Sequence, residues 1–198
     1  MEHFSDTPNP VIQAGDQLEL HPLTVSDAPE LFELIDRNRD RLREWVPWLE
    51  PTYSLADARD FAAASERQNR EAMSMTAALR LSGRLCGVIS LHRIDIAHRN
   101  SSLGYWLAEE FQGQGIMTRA CRALITQAFR EYNLHRMEIR CATGNHRSCA
   151  IPRRLGFTEE GVLRQAEWLY DHWVDLRVFG MLEQDWPTHE PSVLDGTR

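Results

Sequence analysis

Tyr105-Trp-Leu-Ala-Glu-Glu-Phe-Gln-Gly-Gln-Gly-Ile-Met-Thr118 is the stretch on which the fold turns. The run from Ser101 to Leu107 reads as a strand that delivers the chain to Gln112, Gly113, Gln114 and Gly115. From Thr118 to Tyr132, Ala120, Leu124, Ala128 and Phe129 recur at the spacing of one helix face. The first N–H groups of a helix lack partners within it, and the helix dipole there favours negative charge. Glycines let the backbone approach an anion with no Cβ in the way. Strand, Gly-rich turn and helix start together read as a phosphate cradle. The same stretch also fits a turn that holds no ligand. Two specific phosphate motifs are excluded: the chain has no G-x-x-x-x-G-K-[ST], and Gly113-Gln-Gly115-Ile-Met-Thr118 lacks the third glycine of G-x-G-x-x-G, which Gly83-Arg-Leu-Cys-Gly87 does not supply either.

Working outward, Ser74 to Leu81 and Leu85 to Ile94 read as strands, with turns at Ser82-Gly83 and His98-Arg99-Asn100. Upstream, Leu18 and Leu20 alternate with Glu19 and His21 in a short strand stopped by Pro22. Asp27 with Glu30 is spaced as a capping box for a helix carrying Leu31, Leu34 and Ile35 on one face. An apolar face continues through Leu42, Trp45, Val46 and Leu49 until Pro47 and Pro51 interrupt it, and Ser54 with Asp57 opens a helix from Leu55 to Arg70. Downstream, Met137 to Cys141 is a strand, Ser148 to Leu155 a short helix ended by Gly156, Phe157 starts a strand, and Val174 to Leu182 closes the series. The expected class is α/β (α+β), with a mixed, mostly antiparallel sheet of about seven strands flanked by helices. Residues 1–16 read as a mobile arm, 17–186 as a single domain and 187–198 as a tail.

The composition fits that class. The chain has 198 residues, 42% hydrophobic and 26% charged, so disordered and fibrous architectures are excluded. Its 22 basic and 29 acidic residues give a net charge of -7, which argues against a nonspecific nucleic-acid binder. No apolar run approaches the roughly 18 to 20 residues that cross a bilayer. Met1-Glu-His-Phe-Ser-Asp lacks the basic and apolar regions of a secretory signal. Cys86, Cys121, Cys141 and Cys149 form no C-x-x-C pair, so the expectation is free thiols in a reducing cytoplasm. The eight histidines make no H-E-x-x-H and no zinc-finger spacing, so no metal is implied.

Gln112-Gly-Gln-Gly115-Ile-Met117 resembles the pyrophosphate motif Q/R-x-x-G-x-G/A of the GNAT family of N-acetyltransferases, with Met117 in place of the last small residue. Asn145-His-Arg-Ser148 through Leu155-Gly156-Phe157 is similar to the family's second motif in spacing. Arg164-Gln-Ala-Glu167-Trp-Leu and Arg41-Leu-Arg-Glu-Trp45-Val-Pro-Trp48 resemble segments of the RimJ/RimL-like branch, which acetylates protein N-termini on the ribosome. The resemblance spans about Leu18 to Leu182. It implies a V-shaped gap between the strand before the phosphate loop and the strand after the helix, in which pantetheine pairs with a strand edge. It also implies that residues 112–118 (Gln112, Gly113, Gln114, Gly115, Ile116, Met117 and Thr118) hold the pyrophosphate of acetyl-CoA. Tyr105, Trp106 and Leu107 would then hold the pantetheine, with Asn145 and Ser148 beside it.

Acetyl transfer from a thioester needs a neutral amine and a proton for the departing thiolate. An α-amine with pKa near 7.7 to 8.0 is on the order of 10% neutral at pH 7, whereas a lysine amine near 10.4 is roughly 0.04% neutral. An α-amine therefore asks little of its base. The resemblance assigns that base to Glu167, whose pKa burial beside Trp168 or Tyr170 would raise. Many relatives place an acidic tyrosine four residues after the position of Ser148; here Pro152 stands there and has no proton to give. Ser148 is the substitute, or only a helix cap. Asn145 either contacts the ligand or shapes the turn. Trp45, Trp48 and Trp168 either line an acceptor slot or belong to the core. Arg119, Arg122, Arg153 and Arg154 are candidates for the 3′-phosphate. The expected acceptor is a protein or peptide N-terminus, with a small amino-acid conjugate or amine antibiotic as the alternative. A silent acyl-CoA sensor is the reading from another class. Relatives of this branch often pair as homodimers.

Overall fold

The computed structural model describes residues 10–187. Their strands form one sheet of eight: β1 (Ile12–Gln13), β2 (Leu18–Pro22), β3 (Met75–Leu81), β4 (Arg84–Asp95), β5 (Asn100–Leu107), β6 (Arg136–Ala142), β7 (Thr158–Leu169) and β8 (His172–Leu182). They lie in the order β1-β2-β3-β4-β5-β6-β8-β7, and only β5 with β6 is parallel. The helices are α1 (Ala28–Arg37), α2 (Arg39–Arg43), α3 (Leu55–Arg70), α4 (Ile116–Glu131) and α5 (His146–Arg154).

The sheet has eight strands where about seven were expected, and the additional one is β1. Ile12 and Gln13 pair with Leu20 and Glu19, so part of the stretch assigned to an arm is the edge of the sheet. A strand of two residues has too little alternation to announce itself; it exists because β2 offers it a partner. Residues 1–9, and all of the expected tail but Pro187, lie outside the described residues.

Local chemistry sets the element ends. Ser82 and Gly83, at φ +50° and +80°, form the tight turn that folds β3 onto β4. Ser54 and Asp57 cap α3 reciprocally, with the Ser54 amide donating to Asp57 Oδ2 at 2.7 Å. The expected box at Asp27 is displaced by one turn: Asp27 accepts from the Thr24 amide at 2.9 Å, while Glu30 takes the Leu85 amide at 3.0 Å and Arg80 at 3.0 Å. Glu30 thereby ties α1 to the β3–β4 hairpin.

Helices α1 and α3 pack together against β3 and β4, while α4 packs against β1, β2 and β5, and α5 against α4 and β6. The core is apolar and continuous, with Leu18, Leu20, Leu31, Ile89, Leu91, Leu124 and Phe179 fully buried. Among the described residues no helix is long and apolar enough to cross a membrane.

Candidate active site

Strands β5 and β6 pair only at their beginnings. Residues 100–103 match 136–139, and the register ends there. β5 stays bonded to β4 as far as Leu107, and β6 to β8 as far as Ala142. Residues 104–107 and 140–142 therefore present unpaired edges to a widening gap, the V that the resemblance implied.

The chain leaves β5 through one 3₁₀ turn (Glu109–Phe111) and enters the Gly-rich loop. Gly113 and Gly115 adopt φ of +77° and +70°, the left-handed region in which a Cβ is strained. Nothing lies within 4 Å of the Cβ that Gly113 would carry, so its backbone conformation demands the glycine, not crowding. Gly115 is the N-cap of α4, and its carbonyl receives the first helical bond from the Arg119 amide at 3.1 Å. The helix thus opens at Ile116, two residues before the expected Thr118. The amides of Ile116, Met117 and Thr118 find no protein acceptor among the described residues, and the first turn has no acidic residue. Those three residues border a cavity of about 1130 Å³ that occupies the gap.

Most of the expected site residues come together on that cavity: Tyr105, Trp106, Leu107, Gln112, Gly113, Gly115, Ile116, Met117, Thr118, Asn145, Ser148, Glu167 and Trp45. Gln114 does not. Its side chain donates to the Glu110 carbonyl at 3.1 Å and its own carbonyl accepts from Arg119, so it braces the loop from behind. Gln112 also braces the loop, donating to the Leu107 carbonyl at 3.1 Å and accepting from Arg147 Nη1 at 2.7 Å.

On α5, Asn145 is the N-cap and accepts from the Ser148 amide at 3.0 Å. The capping role weighed for Ser148 therefore belongs to Asn145, and the Ser148 hydroxyl turns toward β5 and β6 instead. That hydroxyl lies 3.2 Å from Cys141 Sγ and 3.4 Å from the Tyr105 hydroxyl. Burial pushes the Cys141 thiol up to about 12 and the Tyr105 phenol well above its ordinary value, so Ser148 sits among neutral groups. Pro152 lies inside α5 without breaking it.

Glu167 stands on β7 beside a shift in register between β7 and β8. Its carboxylate has no ion pair or hydrogen bond with another described residue, and burial raises its pKa. Alternation along β7 sends the next side chain to the opposite face. Trp168 accordingly borders neither cavity and packs edge-on against Trp173, 5.1 Å between ring centroids. Tyr170 donates to the carbonyls of Val46 and Leu49, and Arg43 covers its ring at 4.1 Å. It pins the segment carrying Trp45 and Trp48 beside Glu167. Trp45 packs against Gly144 on the cavity, whereas Trp48, 44% exposed, borders a neighbouring cavity.

The walls are basic although the chain is acidic. Arg41, Arg119, Arg122, Arg140, Arg147 and Arg154 border the cavity against the carboxylates of Glu109 and Glu167 only. Such a cleft concentrates an anion locally whatever the net charge. Two of the six arginines are themselves in ion pairs, Arg41 with Glu44 at 2.7 Å and Arg140 with Glu138 at 2.6 Å, and Arg153, off the cavity, pairs with Glu159 at 2.9 Å. Sequence reasoning missed Arg41, Arg140 and Arg147. Arg147 stands between Asn145 and Ser148 in the motif already singled out, and that position was its signal.

A splayed parallel pair, a helix start with free amides in a basic cleft, and a hydroxyl and an unpaired carboxylate on the same walls are the features that the resemblance to an acetyl-CoA-dependent acetyltransferase implied. Residues 17–158 match the family model for the acetyltransferase (GNAT) domain. The chain is 38% identical over 175 residues to the "Putative ribosomal N-acetyltransferase YdaF" of Bacillus subtilis (strain 168), covering 88% of this chain and 96% of that one. It is 31% identical over 171 residues to the ribosomal-protein-serine acetyltransferase of Escherichia coli (strain K12), covering 86% and 96%. Among solved structures, RimL, a ribosomal L7/L12 alpha-N-protein acetyltransferase in complex with coenzyme A, superposes with a TM-score of 0.84 at 29% identity, covering 87% and 98%. The chain belongs to the GNAT family, in its RimJ/RimL-like branch, and is an acetyl-CoA-dependent N-acetyltransferase.

Proposed function

We propose that the acceptor is the α-amine of a protein or peptide N-terminus and that transfer is direct, within a ternary complex. Residues 112–118 bind the diphosphate of acetyl-CoA, chiefly through the amides of Ile116, Met117 and Thr118. The unpaired edge at Tyr105, Trp106 and Leu107 binds the pantetheine amides, with Asn145 and Ser148 across the gap. The amine nitrogen attacks the thioester carbonyl carbon and gives a proton to Glu167, directly or through water. The carbon–sulfur bond then breaks, and Ser148 hydrogen-bonds the departing thiolate and passes it a proton, which the protonated Glu167 restores to Ser148 through water. A thiol pKa near 8.5 makes the thiolate a weak base, so a weak donor is enough.

The observation that carries this reading is the Glu167 carboxylate: half-buried, without an ion-pair partner, and on the same cavity as Ser148. The acceptor class is supported by the small demand an α-amine places on its base, and by two relatives whose names specify ribosomal acceptors. A ribosomal acceptor places the reaction in the cytoplasm. The working unit is a homodimer, as is common in this branch, and light scattering tests that. The experiment for the acceptor is a panel of peptide N-termini and small amines incubated with acetyl-CoA and read by mass. Acetylation of peptide α-amines above all other acceptors is the expected result; a preference for small amines overturns it.

A further inference from the structure

The cofactor-side cavity meets a second one at β5. The second, about 820 Å³, is bounded by α1, α3 and residues 46–53, and by β3, β4 and β5 below. Val46, Gly104, Tyr105 and Trp106 border both. Gly104 is the first residue of β5 beyond its pairing with β6, so the two spaces meet where the V opens. Alternation places Ser90, His92 and Gly104 on the second cavity's face, while the Tyr105 side chain reaches Ser148 on the other.

Two of the polar groups on that floor satisfy each other: Ser90 Oγ donates to Thr76 Oγ1 at 3.1 Å. His92 differs. Its ring makes no hydrogen bond or ion pair with another described residue; only its backbone carbonyl is engaged by a side chain, that of Ser101, at 2.8 Å. Its Nε2 occupies the space that a side chain at position 104 would fill, so Gly104 is what admits the ring to the mouth of the V. The ring is exposed to solvent, and partial desolvation by its neighbours lowers the imidazole pKa, which favours the neutral form with one nitrogen able to accept a hydrogen bond.

A neutral primary amine has one lone pair and two N–H bonds, and the lone pair is aimed only when both N–H bonds are held. Glu167 borders the cofactor cavity alone and His92 the second cavity alone. We infer that His92 Nε2 accepts the second N–H of the acceptor amine, and that the second cavity houses the group carrying that amine. This rests on the acetyl-transfer reading above. The walls carry the aromatic rings of Trp48 and Phe61, 44% and 42% exposed, together with the charged side chains of Glu50, Asp57 and Arg93, while the Ser74 hydroxyl is taken by Gln68 Oε1 at 3.1 Å. The aromatic wall suits a group with an apolar body, as at an N-terminus beginning with a small or aromatic residue. Glu167 receives the proton; His92 fixes the direction of attack.

The test uses the full chain, acetyl-CoA and a serine-initiated hexapeptide amide. His92→Phe keeps a flat ring without the acceptor nitrogen. It should lower kcat/KM for the peptide about tenfold or more, leave the acetyl-CoA KM within about twofold, and leave the melting temperature nearly unchanged. His92→Asn should restore part of the loss. Wild-type kinetics in His92→Phe, or a loss shared by the acetyl-CoA KM and stability, overturns the assignment. The ¹⁵N signal of His92 Nε2 in the CoA-bound enzyme reads the contact without turnover, and it should move when the peptide is added. No movement while the wild type acetylates the peptide sinks the His92 contact alone. Movement without any release of CoA from acetyl-CoA preserves the contact and sinks the acetyl-transfer reading.

Discussion

The Tyr105 hydroxyl donates to the backbone carbonyl of Ser148 at 3.2 Å. In an unbroken helix that carbonyl would receive the amide four residues on, but that residue is Pro152, which has none. A phenol from β5 thus fills a vacancy left by a proline in α5, and in doing so it fixes the turn that carries the Ser148 hydroxyl. Tyr105 itself is a poor proton source for a thiolate, because burial holds its pKa well above its ordinary value. Its role is to position Ser148.

Tyr105→Phe should therefore destabilise the fold by about 1–3 kcal/mol, the usual cost of stranding a buried carbonyl. Pro152→Ala supplies the missing amide, so the double variant should lose less than the sum of the single changes. Urea unfolding of the four proteins in the cycle measures this, and strict additivity would show that the two residues do not share the carbonyl.

Glu167→Gln should lower turnover by about a hundredfold or more while leaving acetyl-CoA binding intact. Burial raises the folded-state pKa of Glu167, so the folded protein prefers the protonated form. Its stabilising contribution is therefore present at low pH and is lost as pH rises through the raised value. Neutral glutamine removes that penalty. The variant should melt no lower than the wild type at pH 7, and the acid limb of kcat should begin above the pH of an ordinary glutamate. Single-turnover rates across pH, with melting curves, check both signs.

Gly113→Ala should weaken acetyl-CoA binding through the backbone alone, since the added methyl meets no atom within 4 Å. Holding alanine at φ +77° costs about 1–2 kcal/mol. Relaxation of the loop would turn the amides of α4 away from the diphosphate. Calorimetry should show a Kd raised about tenfold; an unchanged Kd would mean that the loop conformation is not what binds.

Tyr170→Phe should raise the acceptor KM while sparing the acetyl-CoA KM, because it releases only the carbonyls of Val46 and Leu49. Steady-state kinetics with each substrate varied separately test this. Equal losses in both constants would point to general disruption.

Much of this architecture is written locally and is therefore legible. The Ser54–Asp57 box and the Ser82-Gly83 turn involve neighbours in sequence, and α3 spans the residues expected of it. The Gly-rich loop between β5 and α4 is legible for the same reason. The misses depend on distant partners. β1 exists only through β2, and the first turn of α4 depends on the left-handed Gly115, which a period cannot reveal. The displaced box at Asp27 arises because Glu30 is drawn to Leu85, 55 residues away. Trp168 is different: strand alternation alone separates it from Glu167, so both could not face one cleft.

Central to the account is the grip of the α4 amides on the diphosphate. Backbone ¹H–¹⁵N spectra recorded while acetyl-CoA is added test it residue by residue. The account predicts large downfield shifts for the amides of Ile116, Met117 and Thr118, with smaller ones for Gly113 and Gly115, saturating at the calorimetric stoichiometry. Saturating acetyl-CoA that leaves these five amides unmoved, while others shift, would contradict it.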